Sequence, residues 1–344
     1  MPKFSLIPLL IGILALPGCS SADKLSKPHE AGTSEYQNPV FEPVIADPSI
    51  IKGKDGYYYV YGTEENWGDG NGPRYVPVIR SKNLTEWDYF GEAFEAVDKP
   101  NWKEGGIWAP DINYYNNAYY LYYSISTWGD QDPSIGVATS SEPDVPFKDM
   151  GPLFRSKSIG VENSIDPEFY NDNGTPYLFW GSFHGIFGIE LTKDGFKTAG
   201  KPFQVAGNAF EAPYVVKRTG YYYMFLSSGS CCDGENSTYH VAVARSEKIT
   251  GPYLDRNGND IISSNGTVIL TGSKKFAGPG HNAIITDKNG TDWIVYHAIE
   301  RNKPKLNSGA TRRPLMIDPI EWKDGWPIIK DLQPGEAAQA APEL

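Results

Sequence analysis

The stretch Gly56-Tyr-Tyr-Tyr-Val-Tyr-Gly62 indicates the architecture of the chain, because a turn residue followed by an aromatic-rich strand recurs along it. The other copies are Asn117-Ala-Tyr-Tyr-Leu-Tyr-Tyr123, Gly174-Thr-Pro-Tyr-Leu-Phe-Trp180, Gly220-Tyr-Tyr-Tyr-Met-Phe-Leu226 and Gly290-Thr-Asp-Trp-Ile-Val-Tyr296. Their turn residues are separated by 61, 57, 46 and 70 residues. A unit of roughly sixty residues is near the size of one four-stranded propeller blade. The sequence therefore predicts an all-β fold, a five-bladed β-propeller.

A short polar motif precedes each copy of the repeat. The motifs are Ala46-Asp47-Pro48-Ser49-Ile50, Ala109-Pro110-Asp111-Ile112, Ile165-Asp166-Pro167-Glu168-Phe169, Phe210-Glu211-Ala212-Pro213-Tyr214 and Gly280-His281-Asn282-Ala283-Ile284. Each unit thus predicts a β-hairpin with a polar group at its entrance. Because the innermost strand of each blade lines the central channel, we expect five polar side chains to converge at one mouth of that channel. They are Asp47, Asp111, Asp166, Glu211 and His281.

Carboxylates grouped in this way indicate a function. Asp and Glu beside proline are common turn residues, so one such motif alone carries little information. Four carboxylates in one mouth repel one another and shift each other's pKa values, which is unfavourable without a function. The chain is also rich in aromatic residues, at 13%, whose rings can stack on sugars. Hydrolysis of a glycosidic bond needs one carboxyl group to protonate the leaving oxygen and another to activate water.

In this order, the motifs resemble those of glycoside hydrolase family 43, whose members are five-bladed propellers. The matching stretches are Ala46-Asp47-Pro48-Ser49, Trp108-Ala109-Pro110-Asp111, Ser164-Ile165-Asp166-Pro167, Glu211-Ala212-Pro213-Tyr214 and Gly278-Pro279-Gly280-His281-Asn282, within a resemblance that covers about residues 38–330. The resemblance implies that Asp47 is the general base, that Glu211 is the general acid, and that Asp166 tunes the pKa of Glu211 and orients it. Family members invert the anomeric centre, which implies a separation of roughly 6.5–9.5 Å between the carboxyl groups of base and acid.

The resemblance also implies a metal ion. In arabinan-cleaving members of the family, a His at the fifth motif helps to hold a central ion, usually calcium, with waters completing its shell. His281 is the matching residue. Calcium prefers oxygen ligands, so this expectation depends on the waters. We therefore expect calcium as a cofactor that supports the active site.

Three stretches resemble the endo-α-1,5-L-arabinanases of this family. They are Cys231-Cys232-Asp233-Gly234-Glu235-Asn236-Ser237-Thr238-Tyr239, Gly278 to Asn282, and Arg313-Pro314-Leu315-Met316-Ile317-Asp318-Pro319-Ile320-Glu321-Trp322. Many arabinanases have His before the base Asp, whereas this chain has Ala46. The resemblance thus implies an endo-acting arabinan hydrolase and leaves open an exo-acting α-L-arabinofuranosidase or a β-xylosidase. A non-catalytic glycan-binding lipoprotein, the alternative of another class, predicts the loss of a catalytic acid, and all three acids are present.

Further residues near the acid-bearing strands are candidates for contacts with a sugar. Four rings could stack on a furanose: Trp108, Trp128, Phe183 and Tyr214. Asn163, Ser164 and Ser182 could form hydrogen bonds, and Asp111 is a candidate supporting or substrate-side residue. Packing within a blade is the alternative for each of them.

The first residues resemble a bacterial lipoprotein signal. Lys3 precedes an apolar run, Leu6 to Leu16, that is too short to span a membrane, and Leu16-Pro17-Gly18-Cys19 follows. We expect removal of residues 1–18 and lipidation of Cys19, with an ordinary signal peptide as the alternative. Ser20 after the Cys favours the outer membrane, facing either the periplasm or the cell exterior. We expect residues 19–37 to form a polar tether, residues 38–335 to form the propeller and residues 336–344 to form a short tail.

Charge and cysteine content restrict the partners. Removal of residues 1–18 takes away Lys3 and changes the net charge from −11 to −12. An acidic protein of this kind binds nucleic acid poorly, so we expect a neutral oligosaccharide or polysaccharide substrate and a monomeric enzyme. Cys231 and Cys232 are adjacent in the sequence. They can form a vicinal disulfide or remain as two free thiols, and the sequence does not distinguish these alternatives.

Overall fold

Strands dominate the computed structural model, which describes residues 1–2, 35–144 and 146–344. They are β1 (Glu35–Tyr36), β2 (Ser49–Lys52), β3 (Tyr58–Tyr61), β4 (Glu65–Asn66), β5 (Pro73–Arg74), β6 (Pro77–Ser81), β7 (Asp88–Glu92), β8 (Gly106–Tyr115), β9 (Ala118–Ser126), β10 (Ser134–Ser140), β11 (Lys148–Arg155), β12 (Glu168–Asp172), β13 (Thr175–Trp180), β14 (Ile186–Leu191), β15 (Thr198–Ala206), β16 (Phe210–Arg218), β17 (Tyr221–Ser228), β18 (His240–Ser246), β19 (Thr267–Leu270), β20 (Phe276–Thr286), β21 (Asp292–Glu300), β22 (Leu315–Lys323), β23 (Trp326–Ile328) and β24 (Gln339–Ala340). A single-turn helix, α1, spans Ser156–Ile159, and 3-10 turns occupy Gly234–Asn236 and Lys330–Leu332. In these described residues, no helix combines the length and the apolar character needed to cross a membrane.

Five antiparallel four-stranded sheets form the blades of a propeller. In chain order they are blade 1 (β2-β3-β6-β7), blade 2 (β8-β9-β10-β11), blade 3 (β12-β13-β14-β15), blade 4 (β16-β17-β18-β19) and blade 5 (β20-β21-β22-β23). The hairpin of β4 and β5 is inserted within blade 1. The prediction of a five-bladed β-propeller is confirmed, and every blade is built from neighbouring strands of the chain.

The aromatic repeat forms the second strand of every blade, where its side chains join neighbouring blades. Side chains alternate between the two faces of a strand. In β3, Tyr59 and Tyr61 pack with Tyr123 of blade 2, whereas Tyr58 and Val60 belong to a core cluster that includes blade 5. The rings therefore fill the spaces between blades. This packing explains why aromatic residues, which favour strands, occur on both faces of the second strand.

Each inner strand is preceded or interrupted by a residue in the left-handed backbone region. These residues are Asp47 (φ 53°), Ala109 (45°), Asp166 (58°), Ala212 (52°) and His281 (49°). In β8, β16 and β20 the register shifts at this point, which marks a bulge. Proline follows four of the five, and proline suits a bulge because it has no N–H to give to the ladder. Left-handed non-glycine residues are strained and concentrate at functional sites.

A hydrogen bond from four of these left-handed residues joins consecutive blades. The acceptor lies seven positions after the turn residue of each repeat, at Thr63, Ser124, Ser227 and His297. The N–H of Ala109 donates to Thr63 Oγ1 (2.8 Å), and the N–H of Asp166 donates to Ser124 Oγ (3.0 Å). The N–H of His281 donates to Ser227 Oγ (2.8 Å), and the N–H of Asp47 donates to His297 Nδ1 (3.0 Å). The same repeat position thus fixes the backbone on which a site residue is carried.

Blade 3 departs from this rule, since Gly181 occupies the seventh position after its turn residue. A Cβ atom there would lie 2.2 Å from the carbonyl oxygen of Gly185, so no side chain fits. The N–H of Ala212 lies beside the Asp166 carboxylate instead and lowers its pKa. The departure therefore orients a carboxyl group of the site.

The folded unit is longer at both ends than the sequence predicts. Strand β1 pairs with β24. The side chain of Asn38 also binds both the N–H and the C=O of Ile317 in β22. The predicted boundaries of 38–335 are corrected accordingly, because the end of the predicted tether and the predicted tail are strands of the fold. The predicted signal segment beyond residue 2, Cys19 and most of the tether lie outside the described residues.

Candidate active site

The five blades surround a cavity of about 1130 Å³ at one mouth of the channel. Asp47, Asp166, Glu211 and His281 all line it. So do five of the candidate sugar contacts: Trp108, Trp128, Asn163, Ser182 and Phe183. The structure therefore brings together residues from all five blades, as expected from the repeat.

Asp111 does not reach this cavity, which corrects its assignment as a substrate-side residue. The backbone equivalent of Asp47 in blade 2 is Ala109, and Asp111 lies two residues further along β8. Its buried carboxyl group accepts hydrogen bonds from the Phe169 N–H (2.7 Å) and from the Ser49 hydroxyl (3.2 Å). Burial raises the pKa of Asp111 to about 6. Asp111 is a structural residue of the inner strands.

Ser164 and Tyr214 are also packing residues and not cavity contacts. Ser164 is fully buried; its hydroxyl donates to the Val161 carbonyl (2.8 Å) and accepts from the Trp180 indole (3.0 Å). The hydroxyl of Tyr214 donates to the Ile284 carbonyl of blade 5 (3.1 Å). For these two residues, the packing alternative holds.

Asp47 is held by side chains from blades 1 and 5. Arg313 Nη1 donates to its Oδ1 (2.8 Å), and the hydroxyl of Thr63 donates to its Oδ2 (2.6 Å). Nδ1 of His281 lies 3.4 Å from Oδ1, and Nδ1 of His297 lies 3.5 Å from it. Both carboxylate oxygens are therefore oriented within the cavity.

Electrostatics keep Asp47 ionised. Burial opposes its charge, but Arg313, the two imidazoles and the Thr63 hydroxyl outweigh burial and hold the pKa of Asp47 well below its usual range. Burial also lowers the pKa of His281 and His297, so both rings are neutral near pH 7. Arg313 is then the charge that matters at neutral pH. A buried carboxylate that stays ionised can act as a general base.

Glu211 has the opposite environment. The Ser182 hydroxyl lies 2.7 Å from its Oε2, and the Tyr239 hydroxyl binds its Oε1. Burial raises the pKa of Glu211, and the charge of Asp47 adds to the effect, while the two hydroxyl contacts and Arg313 oppose it. A carboxyl group whose pKa is raised keeps its proton to higher pH, which suits the role of a general acid.

Asp166 completes the carboxyl group set. Burial, then the charges of Glu211 and Asp47, raises the pKa of Asp166 well above its usual value. Arg313 contacts Asp47 directly, and its effect on the pKa of Asp166 and of Glu211 is smaller than the effect of burial. Asp166 and Glu211 together therefore retain a proton, which is the pKa separation that acid–base hydrolysis requires.

Aromatic rings and a disulfide form the outer part of the cavity. Trp108 and Trp128 lie with their ring centroids 5.8 Å apart, and Trp128 is 81% exposed. Phe183 is also exposed and has a left-handed backbone. Cys231 and Cys232 form a vicinal disulfide that lines the cavity, which resolves the two alternatives for these residues.

His281 and the groups around it offer few of the oxygen ligands that calcium prefers. Within the described ranges, no group of three or more His, Cys, Asp or Glu side chains is arranged to hold a metal ion. His281 offers an imidazole at the cavity surface, while both oxygens of the adjacent Asp47 are already bound by Arg313 and Thr63. The residues present therefore fit an ion surrounded mainly by water, with His281 as its protein ligand, and do not fit calcium in an all-protein oxygen shell.

Sequence reasoning gave no role to four residues that orient the carboxyl groups: Thr63, Arg313, Tyr239 and His297. Two of them carry a signal in the repeat, because Thr63 and His297 stand seven positions after their turn residues. Arg313 and Tyr239 stand at the ends of stretches that resemble arabinanases, but their contacts depend on loop geometry that the repeat does not encode.

Comparison with known proteins agrees with this geometry. The family model described as glycosyl hydrolases family 43 matches residues 36–327. The extracellular endo-α-(1→5)-L-arabinanase 1 of Bacillus subtilis (strain 168) is 36% identical over 299 residues, which cover 83% of this chain and 87% of that protein. An extracellular exo-α-(1→5)-L-arabinofuranosidase of Cellvibrio japonicus (strain Ueda107) is 32% identical over 319 residues, covering 83% and 86%.

Solved structures show the same likeness. The α-L-arabinanase of Cellvibrio cellulosa complexed with arabinohexaose superimposes with a TM-score of 0.72 at 29% identity, covering 84% of this chain and 96% of that one. The native arabinanase of Bacillus subtilis gives a TM-score of 0.69 at 33% identity, covering 83% and 97%. Endo-acting and exo-acting proteins both occur among the relatives.

Proposed function

Since the chain belongs to glycosyl hydrolase family 43, we propose that it hydrolyses α-1,5-linked L-arabinan by an inverting acid–base mechanism. One observation carries the mechanism: an ionised Asp47 and a proton-retaining pair of Asp166 and Glu211 line one cavity. The substrate class follows from the named activities of the relatives.

In this mechanism, Asp47 removes a proton from the water that attacks the anomeric carbon. Arg313 and Thr63 hold its two oxygens, so the carboxylate presents a fixed direction to that water. Glu211 gives its proton to the leaving glycosidic oxygen as the bond breaks. The attacking water lies between substrate and base, and the separation of the two carboxyl groups expected for inversion, roughly 6.5–9.5 Å, stays a prediction.

Asp166 acts on Glu211 and not on the substrate. Its carboxyl group is fixed by the Ala212 N–H, which is available because Gly181 leaves no side chain to bind it. Asp166 and Glu211 compete for one proton, so the ionised form of Asp166 raises the pKa of Glu211, and Glu211 then holds its proton until the leaving oxygen takes it.

The outer cavity supplies binding. The exposed indole of Trp128 and its neighbour Trp108 offer ring faces to a furanose, and Phe183 offers another. The Asn163 side chain donates to the Ser182 carbonyl (3.0 Å), and the Ser182 hydroxyl contacts Glu211, so both polar residues also support the acid. Endo action, with an open groove, is the form we propose, and exo action is the alternative.

Calcium is proposed as a supporting ion held by His281 and waters. A divalent ion there would supply positive charge to the mouth of the channel. If it is needed, chelation lowers the activity of the wild-type enzyme and has no further effect on the His281→Ala variant. Full activity of both in the presence of chelator contradicts this part of the proposal.

We also propose that the protein is secreted, as the names of its relatives indicate for them, and that Cys19 carries a lipid anchor in the outer membrane. Metabolic labelling with radioactive palmitate tests the anchor. Labelled wild-type protein and unlabelled Cys19→Ala protein are expected, and unlabelled wild type contradicts it.

Variants of the two carboxyl groups test the mechanism. Glu211→Gln removes the transferable proton, and Asp47→Asn removes the base, so each lowers kcat on arabino-oligosaccharides by about 10²–10⁴-fold. Neither change alters side-chain volume, and the unfolding midpoint should stay near that of wild type. A Glu211→Gln enzyme that keeps most of its activity contradicts the assignment of the acid.

A further inference from the structure

Two hydroxyl groups near the catalytic carboxyl groups, those of Thr63 and Ser227, occupy the same position in the repeat. Thr63 Oγ1 accepts the Ala109 N–H and donates to Asp47, so it orients the base directly. Ser227 stands at the same repeat position in blade 4 and accepts the His281 N–H at 2.8 Å. Its own hydrogen is available to the neighbouring hydroxyl of Tyr239, and that Tyr239 hydroxyl binds Glu211. Blade 4 therefore has an extra side chain between the repeat hydroxyl and the carboxyl group.

The direction of these hydrogen bonds follows from counting donors. A hydroxyl group has one hydrogen. Ser227 already accepts from a backbone N–H, so its one hydrogen is available to the Tyr239 oxygen beside it. Tyr239 then has its own hydrogen free for Oε1 of Glu211. Each carboxyl oxygen has a second lone pair, so Glu211 can still carry the proton for the leaving group.

The ring of Tyr239 is fixed by its surroundings. It is buried and stacks on His297, with ring centroids 5.9 Å apart and planes 8° apart. Gly280 packs directly against the Tyr239 ring, because a Cβ atom at Gly280 would lie 2.3 Å from it. His297 in turn accepts the N–H of Asp47 at 3.0 Å. The ring thus lies between the acid of blade 4 and the backbone of the base of blade 1.

We propose that Tyr239 is the positioning residue of the general acid, holding Glu211 in line for proton transfer through a hydroxyl that Ser227 orients. The proposal rests on the proposed function of Glu211 as the acid. Tyr239 does not touch the substrate in this account, because it is buried behind Glu211 and does not line the cavity.

The proposal predicts a change in pH dependence. Burial and the charge of Asp47 raise the pKa of Glu211, Arg313 opposes them, and Asp166 is coupled to the same proton. His281 and His297 face Asp47 on the opposite side. The Tyr239 hydroxyl stabilises the ionised form of Glu211. Its loss therefore raises the pKa of the acid and moves the alkaline limb of kcat/KM to higher pH by about one unit.

Tyr239→Phe tests this, with Tyr253→Phe as the control. Tyr253 is also buried in blade 4, and its hydroxyl donates to the Ile249 carbonyl (2.9 Å), away from the cavity. For Tyr239→Phe we expect roughly tenfold lower kcat on α-1,5-arabino-oligosaccharides. The loss should be much smaller on 4-nitrophenyl α-L-arabinofuranoside, whose leaving group needs little protonation. Tyr253→Phe should keep the wild-type limb and the wild-type ratio of the two rates.

An unmoved alkaline limb, with equal losses on the two substrates, overturns the proposal and leaves Tyr239 as a packing residue. If Tyr239→Phe does not fold, Ser227→Ala carries the test, because it keeps the ring and removes the group that orients its hydroxyl. The same two effects, smaller in size, are then expected, and their absence overturns the proposal. A wild-type enzyme that cleaves neither substrate contradicts the proposed function itself, which is a distinct result.

Discussion

Asp47 is a buried carboxylate whose charge depends on one neighbour. Its side chain is 13% exposed, and Arg313 lies at 2.8 Å. An opposite charge at this distance lowers a carboxyl pKa, typically by about 1–3 units. The low pKa of Asp47 places the acid limb of kcat/KM below pH 3.8, the ordinary value for this group. Between the lowered pKa of Asp47 and the raised pKa of Glu211, the base is ionised while the acid still holds its proton.

Replacing Arg313 tests this dependence. Arg313→Gln keeps a hydrogen-bond donor but removes the charge, so the pKa of Asp47 rises and the acid limb moves upward by about 1–2 pH units. The measurement is kcat/KM between pH 3 and 9. Arg80→Gln, which removes an arginine stacked on Tyr57 and Phe90 outside the cavity, is the control and should leave the limb unchanged. An acid limb that does not move in Arg313→Gln shows that another group holds Asp47 ionised.

At the scale of elements, the inner strands bring together carboxyl groups that the mechanism does not use. Asp111 of β8 and Glu168 of β12 are both buried, and burial raises the pKa of each, with the charge of Asp111 adding to the effect on Glu168. The folded state therefore binds more protons than the unfolded state between pH 3.8, the unfolded value for Asp111, and about 6, its folded value. The stability from this group is full below pH 3.8 and is lost as the pH rises through about 6.

Asp111→Asn should weaken this pH dependence. The variant cannot ionise, so its unfolding free energy should fall less between pH 4 and 8 than that of wild type, by up to about 3 kcal/mol. Urea unfolding at a series of pH values measures it, with the exposed Asp88→Asn as the control. An unchanged slope for Asp111→Asn would mean that Asp111 is ionised in the folded protein throughout this range.

The repeat predicts the elements better than it predicts the site. Period and turn residues locate the second strand of every blade, because the same packing between blades is needed five times. Asp47, Asp166 and His281 follow from the same repetition. The prediction for Asp111 is wrong because the feature that repeats among the blades is the left-handed backbone position, at Ala109 in blade 2, and not the carboxyl group. Loop residues such as Tyr239 occur once, so no internal comparison reveals them.

At the scale of the whole molecule, the site depends on closure of the ring. Asp47 from blade 1 is bound by Arg313 and by His297 of blade 5, so the base is complete only when the first and last blades meet. The segment before blade 1 runs along β22 and is held there by Asn38. This contact is not predictable from the sequence, since a short polar segment without a repeat is also typical of a tether.

The measurement that tests the central claim most directly is the analysis of early products from linear α-1,5-arabinan, with xylan as a parallel substrate and Glu211→Gln as the inactive control. Wild type should release mixed arabino-oligosaccharides from the start, and the control should release none. Arabinose as the sole early product would keep the substrate and make the enzyme exo-acting. Release of xylo-oligosaccharides from xylan with no cleavage of arabinan would contradict the account.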